Sequence, residues 1–153
     1  MTATITITNP ILSGMNPDPS WIWDDEFQRI VLVTSTFELV PGLPIYVSED
    51  MTCWKHVSNV VDADLARRLL IPFVDDSGGV YAPTLRRIHG KYVIACTIAR
   101  LDDRRAMEGG CTESELMRFH AAGGNFILEA ESIEGPWHGP FWIEGAEGID
   151  PDI

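Results

Sequence analysis

The sequence predicts an all-β protein of the β-propeller class, and three observations carry that prediction. Short β-prone runs separated by tight polar turns follow one another closely from residue 18 to residue 57. The strongest of these runs, Ile30-Val31-Leu32-Val33-Thr34, has a counterpart in Tyr92-Val93-Ile94-Ala95-Cys96-Thr97, with Thr97 63 positions after Thr34. The tripeptides Asp18-Pro19-Ser20, Ala82-Pro83-Thr84 and Asp150-Pro151-Asp152 recur at spacings of 64 and 68. A four-stranded unit repeating on this scale is the signature of a propeller blade. The reading places one blade at about 16–60, a second at about 78–145 and the start of a third at about 148–153. Propellers need at least about four blades, so an N-terminal fragment of a larger propeller is expected.

Taken in order, Thr4 to Thr8 alternates Thr and Ile and suggests a short strand. Asp18 to Trp23 is the next candidate, closed by a polar turn at Asp24-Asp25-Glu26. Arg29 to Ser35 is nearly continuous in apolar residues, the pattern of a strand buried on both faces. Pro41-Gly42 turns the chain into Leu43–Ser48, where Pro44 sits near the strand start, a position that tolerates proline. Glu49 to Thr52 turns again, and Trp54 to Val57 reads as a fourth strand. Asp62 to Leu70 breaks the pattern: Ala63, Leu65, Ala66, Leu69 and Leu70 predict a short helix with Asp62 as its N-cap. Ser77-Gly78-Gly79 opens the second unit, with strands predicted at Val80–Ile88 and Lys91–Ile98 around a His89-Gly90 turn. Residues 100–123 read as a polar, insertion-like loop with a helical turn at Thr112–His120. Asn125–Ala130 is strand again, and Trp137 begins the last strand after the Gly135-Pro136 turn.

Composition narrows the functional classes. The 153 residues are 45% apolar and 22% charged, a globular balance. Eleven basic against 23 acidic residues give a net charge of −12, which argues against nucleic-acid binding and leaves an uncharged partner open. No apolar run approaches the length of a membrane span. The N-terminal residues lack the basic and apolar regions of a signal peptide, so a reducing, cytoplasmic setting is expected. Cys53, Cys96 and Cys111 form neither a disulfide framework nor a zinc motif, and Cys96 reads as a small core residue. His56, His89, His120 and His138 are scattered near turns, so neither a metal nor a cofactor is expected. The arginine pairs at 67–68, 86–87 and 104–105 read as solvated faces.

Candidate chemistry centres on Asp18. Pro17 and Pro19 on either side stiffen the backbone and fix where its carboxylate points. Asp150 is its repeat mate. Blade starts line the axis of a propeller, so the two carboxylates are expected to converge on one axial pocket. Two carboxylates facing one pocket is the arrangement of glycoside hydrolysis; two ordinary blade-start turns would show the same residues.

The stretch from Asn9 to Ser20, Asn9-Pro10-Ile11-Leu12-Ser13-Gly14-Met15-Asn16-Pro17-Asp18-Pro19-Ser20, resembles the opening of glycoside hydrolase family 43, in its β-xylosidase and α-L-arabinofuranosidase branch. Further motifs follow in the family's order: Thr34-Ser35-Thr36-Phe37-Glu38 with Pro41-Gly42, Ser48-Glu49-Asp50-Met51-Thr52-Cys53-Trp54, Gly78-Gly79-Val80-Tyr81-Ala82-Pro83, Gly135-Pro136-Trp137 and Gly148-Ile149-Asp150-Pro151. The resemblance implies a five-bladed propeller that hydrolyses xylosidic or arabinofuranosidic bonds with inversion. It implies Asp18 as general base and Asp150 as the carboxylate that tunes the acid's pKa and orients the sugar. The general acid would be a Glu about one blade further on, near a Glu-x-Pro motif, which residues 1–153 do not contain; Glu144 and Glu147 precede Asp150 and do not match it. Phe37 matches a sugar-packing position, with plain core packing as the alternative, and Tyr81 stands where the family usually has Trp. Leu39 and Val40 replace bulky aromatics of the xylosidase branch. The expected partner is a carbohydrate. The rival readings are a non-catalytic sugar-binding propeller and a truncated product without function, whose open sheet edges would favour self-association.

Overall fold

A computed structural model describes residues 5–153, which form two antiparallel sheets with three short helices. The first sheet is a four-stranded meander of β1 (Ser20–Asp24), β2 (Arg29–Val33), β3 (Gly42–Ser48) and β4 (Lys55–Val61). β2 pairs on both edges, and Ile30, Val31, Leu32 and Val33 are all buried, which is why its sequence shows no alternation. β1 does alternate: Trp21 and Trp23 are exposed while Asp24 is fully buried. The strand expected at Thr4–Thr8 is absent over residues 5–8, which are exposed and pair with nothing described, and Thr4 lies outside the described residues. Four alternating residues with no partner edge do not make a strand on their own.

Between the sheets, Asp62 caps α1 (Ala63–Arg68) by accepting the Leu65 N–H at 2.8 Å. A single 3-10 turn (Ile71–Phe73) then leads into the second sheet, which comprises β5 (Val74–Val80), β6 (Thr84–Ile88), β7 (Lys91–Leu101), β8 (Asn125–Ala130) and β9 (His138–Trp142). The strand predicted over 80–88 is two strands. β5 pairs with the far half of β7 and β6 with its near half, so the eleven-residue β7 is a shared partner for both. The break falls at Tyr81-Ala82-Pro83, where the Tyr81 N–H bonds to the Thr97 carbonyl and Pro83 has no N–H to give. β6–β7–β8–β9 repeats the meander of β1–β4. Residues 100–123 are not a loop. They hold α2 (Asp103–Glu108), capped by Asp102, and α3 (Glu113–Ala121), opened by a capping box between Thr112 and Glu115.

One apolar cluster runs through both sheets, joining Val31, Val33 and Ile45 of the first to Leu85, Tyr92 and Phe126 of the second. The first strands of the two meanders, β1 and β6, lie side by side, and the Leu85 N–H donates to Ser20 Oγ at 3.0 Å between them. At the other end Ser58 Oγ donates to the Ile133 carbonyl at 2.6 Å.

At the centre of this contact Asp24, read from the sequence as part of a solvated turn, is wholly buried at the end of β1. Arg87 Nη1 donates to Asp24 Oδ1 at 2.6 Å, the Tyr92 hydroxyl donates to Oδ2, and Arg29 Nε stands 3.7 Å away. Arg87 also pairs with Glu26 and lies 5.2 Å from the Tyr92 ring. The solvated-face reading therefore fails for Arg87. Arg67 and Arg105 are exposed as expected; the Arg67 guanidinium lies 5.1 Å from the Phe73 ring centroid, and Arg105 donates to the Val74 carbonyl at 2.8 Å. Arg68 and Arg104 are exposed and pair within their own helices with Asp64 and Glu108. Replacing Asp24 by Ala would strand two guanidinium groups and a hydroxyl against a dry interface, so Asp24→Ala should lower the urea-unfolding free energy by about 3–5 kcal/mol. Tyr92→Phe, which removes one neutral donor, should cost only about 1–3 kcal/mol.

Candidate active site

Two short segments bring the candidate carboxylates to the surface. The Pro17 carbonyl accepts the Ser35 N–H at 3.0 Å, and Ser35 Oγ donates to Asp18 Oδ2 at 2.6 Å. Ser35 is fully buried, whereas Asp18 is exposed. The bend of residues 16–19 is thus stapled to the end of β2, and one carboxylate oxygen is fixed. Asp150 is also exposed, in the segment after β9, where the Gly148 carbonyl accepts a hydrogen bond from Asn125 Nδ2 at 3.1 Å.

Asp18 and Asp150 share an uncommon backbone state, with φ of 50° and 59°. Eight other non-glycine residues among those described, Phe37 and Ser77 included, share this sign of φ, so the state matches the repeat without being special to it. Cys96 in β7 is wholly buried and donates to the Tyr81 carbonyl at 3.2 Å. Burial pushes its thiol far above the ordinary value of 9.0, and the charges of Asp150 and Asp18 push it the same way.

Phe37 and Tyr81 complete the cluster. Their rings meet edge to face, with centroids 5.6 Å apart at 76°. The contact rests on a backbone bridge: the Phe37 N–H and carbonyl both pair with Val80 at 2.9 Å, joining the β2–β3 connection to the end of β5. Gly79 makes this possible. At its φ of +91° a Cβ would stand 2.3 Å from the Phe37 carbonyl oxygen, so no other residue fits without parting the strands.

Of the four sequence-predicted residues, Phe37 and Tyr81 are in direct contact, Asp18 is fastened to the end of β2, and Asp150 lies in the exposed segment after β9. Glu144 and Glu147 are exposed on the approach to Asp150. One open cleft lies elsewhere, lined by Arg29, Ser48, Asp50, Cys53 and Lys55, and touches neither carboxylate. That cleft follows from a local knot in which Asp50 gathers the Thr52 hydroxyl and the N–H groups of Thr52 and Cys53, which hold its carboxyl down at about 2. It is turn chemistry rather than a site. Among the described residues no group of three His, Cys, Asp or Glu side chains is placed to hold a metal ion. Cys96 is the buried core residue the sequence predicts. Sequence reading gave no site role to Ser35, Thr97 or Asn125, although Ser35 lies in the Thr34–Glu38 motif and Thr97 is the repeat mate of Thr34.

The family model for Glycosyl hydrolases family 43 matches residues 7–153. A non-reducing end α-L-arabinofuranosidase of Bacteroides ovatus is 36% identical over 150 residues, covering 97% of this chain and 24% of that protein. A xylan 1,3-β-xylosidase of a Vibrio species is 34% identical over 152 residues, covering 98% of this chain and 25% of that protein. The solved family 43 protein BlXynB of Bacillus licheniformis superposes with a TM-score of 0.70 at 28% identity, over 95% of this chain and 26% of its own. The chain spans about a quarter of the length of the curated relatives it matches. Its two meanders are propeller blades, and the whole is a partial propeller.

Two outcomes test this site's construction. Gly79→Ala should destabilise the protein by about 2–4 kcal/mol, combining left-handed strain with the loss of two backbone hydrogen bonds, and amide exchange should accelerate at Phe37 and Val80. Cys96 and Tyr92 keep in the folded state protons that the unfolded chain releases from its ordinary 9.0 and 10.0 upward. For Tyr92 burial is the larger cause and the bond to Asp24 the next. Their stabilisation is complete below about pH 9 and lost as pH rises toward the folded values. Chemical unfolding across pH 8–11 should therefore show stability falling with pH, and Cys96→Ala should make that fall shallower.

Proposed function

The chain belongs to glycosyl hydrolase family 43, and on that premise we propose that it carries the general-base half of an inverting glycosidase site for xylosides or α-L-arabinofuranosides. The observation that supports this most is the anchoring of Asp18, whose Oδ2 accepts from the buried Ser35 hydroxyl at 2.6 Å, in a chain that the family model matches over residues 7–153. Asp18 is the general base. Its Oδ2 is held by Ser35, which leaves Oδ1 to take the proton of a water attacking the anomeric carbon. An inverting pair stands roughly 6.5–9.5 Å apart so that such a water fits between base and acid. Asp150 orients the sugar and sets the acid's proton affinity through its charge. Phe37 and Tyr81 supply an aromatic edge for the sugar ring, and Tyr81 in place of a larger indole leaves a wider subsite.

Protonation of the leaving group needs an acid that residues 1–153 do not hold at a matching position. General acid catalysis contributes about 10²–10⁴-fold, so the 153-residue chain is a sugar-facing half-site without turnover. In a protein that includes the remaining blades the same Asp18 drives hydrolysis.

Assays on nitrophenyl β-xyloside and α-L-arabinofuranoside test both statements. The 153-residue chain should release no nitrophenol above background. A longer protein containing it should turn over, and Asp18→Asn should lower its kcat/KM by about 10²–10⁴-fold. Turnover by the short chain that Asp18→Asn abolishes would refute the half-site reading. Full activity of the longer protein after Asp18→Asn would refute the assignment of the base.

A further inference from the structure

We propose that Asn125 is a positioning residue that holds the Asp150 segment, working as a pair with Thr97. This rests on the reading of Asp150 as a site carboxylate, but the structural claim is about how its segment is held.

Asn125 opens β8 and is almost fully buried, as is Thr97 in β7. Its side chain spans two parts of the fold. Thr97 Oγ1 donates to Asn125 Oδ1 at 2.6 Å. Asn125 Nδ2 faces the carbonyls of Gly148 at 3.1 Å, Ala122 at 3.2 Å and Gly123 at 3.4 Å. Those three carbonyls can only accept, so the amide nitrogen must face them and the amide oxygen must face Thr97. The orientation follows from the chemistry of the neighbours. The backbone of Asn125 joins the same network, its carbonyl taking the Ile143 N–H at 3.0 Å. The Gly145 N–H donates to the Ala121 carbonyl at 2.8 Å, so residues 143–148 are fastened to the end of α3 and the start of β8.

What that fastening holds is costly to hold. Gly148 and Asp150 have φ of 85° and 59°, and a non-glycine residue in this region persists only where its surroundings enforce it. Thr97 extends the same chain of contacts to the other side of the cluster, because its carbonyl accepts the Tyr81 N–H at 3.0 Å. One buried pair thus ties the aromatic position of the site to its second carboxylate. The pair is not a general need of the blade repeat. At Thr34, the repeat mate of Thr97, no amide stands opposite, and among the described residues the buried hydroxyl has no hydrogen-bond partner. The amide is present in the meander whose exit carries Asp150.

The test is carboxyl ¹³C and amide-exchange NMR on the intact chain. In Asn125→Ala the Asp150 carboxyl resonance should move and amide exchange at residues 148–150 should quicken at least 10-fold, while the Asp18 carboxyl and the amides of β1–β4 stay unchanged. Thr97→Val, which keeps the shape and the Tyr81 backbone bond, should reproduce the shift in part, and Thr97→Ser should restore it; this second series decides the matter if Asn125→Ala does not fold. An unmoved Asp150 carboxyl in the variants, or equal movement at Asp18 and Asp150, would overturn the proposal. These readouts need no turnover, so loss of the positioning claim is distinct from loss of the hydrolase reading.

Discussion

The buried carboxylate of Asp24 is the constraint on which the arrangement of the two sheets depends. A charge with no exposure needs its partners in place before the interface can close. Arg87 and Tyr92 come from the second sheet and Arg29 from the first, so the charge is compensated only when the meanders sit in one register. Hydrophobic burial drives the sheets together but leaves their sliding weakly specified. The Asp24–Arg87 pair and the Ser20–Leu85 hydrogen bond supply the specification. That register sets β1 beside β6, and with them the segments that lead into both strands, including the bend that carries Asp18.

The candidate site inherits its geometry from this register. Asp18 is stapled to the end of β2 through Ser35, and Asp150 to the start of β8 through Asn125, each by a buried polar side chain. Between them, the Phe37–Val80 bridge over Gly79 closes the gap between the first meander and β5. The chemical groups are exposed while the groups that aim them are buried. That division suits catalysis, since preorganised carboxylates spend little free energy on finding their geometry when substrate arrives.

The repeat made much of this legible in the sequence. Asp18 and Asp150 emerged as mates from their spacing, the cap of α1 was visible in Asp62, and a helical turn was expected at Thr112–His120, where α3 lies. Asp24 was hidden because a carboxylate followed by Asp25 and Glu26 has the composition of a turn. The clue to its role lay 63 residues away in Arg87, the same offset that links Thr34 to Thr97. Side-by-side strands in equal register place equivalent positions of the repeat in contact, so opposite charges at equivalent positions were a readable signal. The split of residues 74–88 into β5 and β6 was not readable, because it depends on which half of β7 each one meets. Asn125 was equally opaque: its partners at Thr97, Ala122 and Gly148 come together only through the tertiary fold.

The proposed site has Asp18, Phe37, Tyr81 and Asp150 facing one sugar from the first two blades and the start of the third. Titration of the isotopically labelled chain with xylobiose, followed by amide NMR, tests it most directly. Saturable shifts confined to residues 16–20, 35–38, 79–82 and 148–151, moving with one dissociation constant, are the predicted result. Shifts at only one of these segments, or a set centred on the Asp50 cleft, would contradict it.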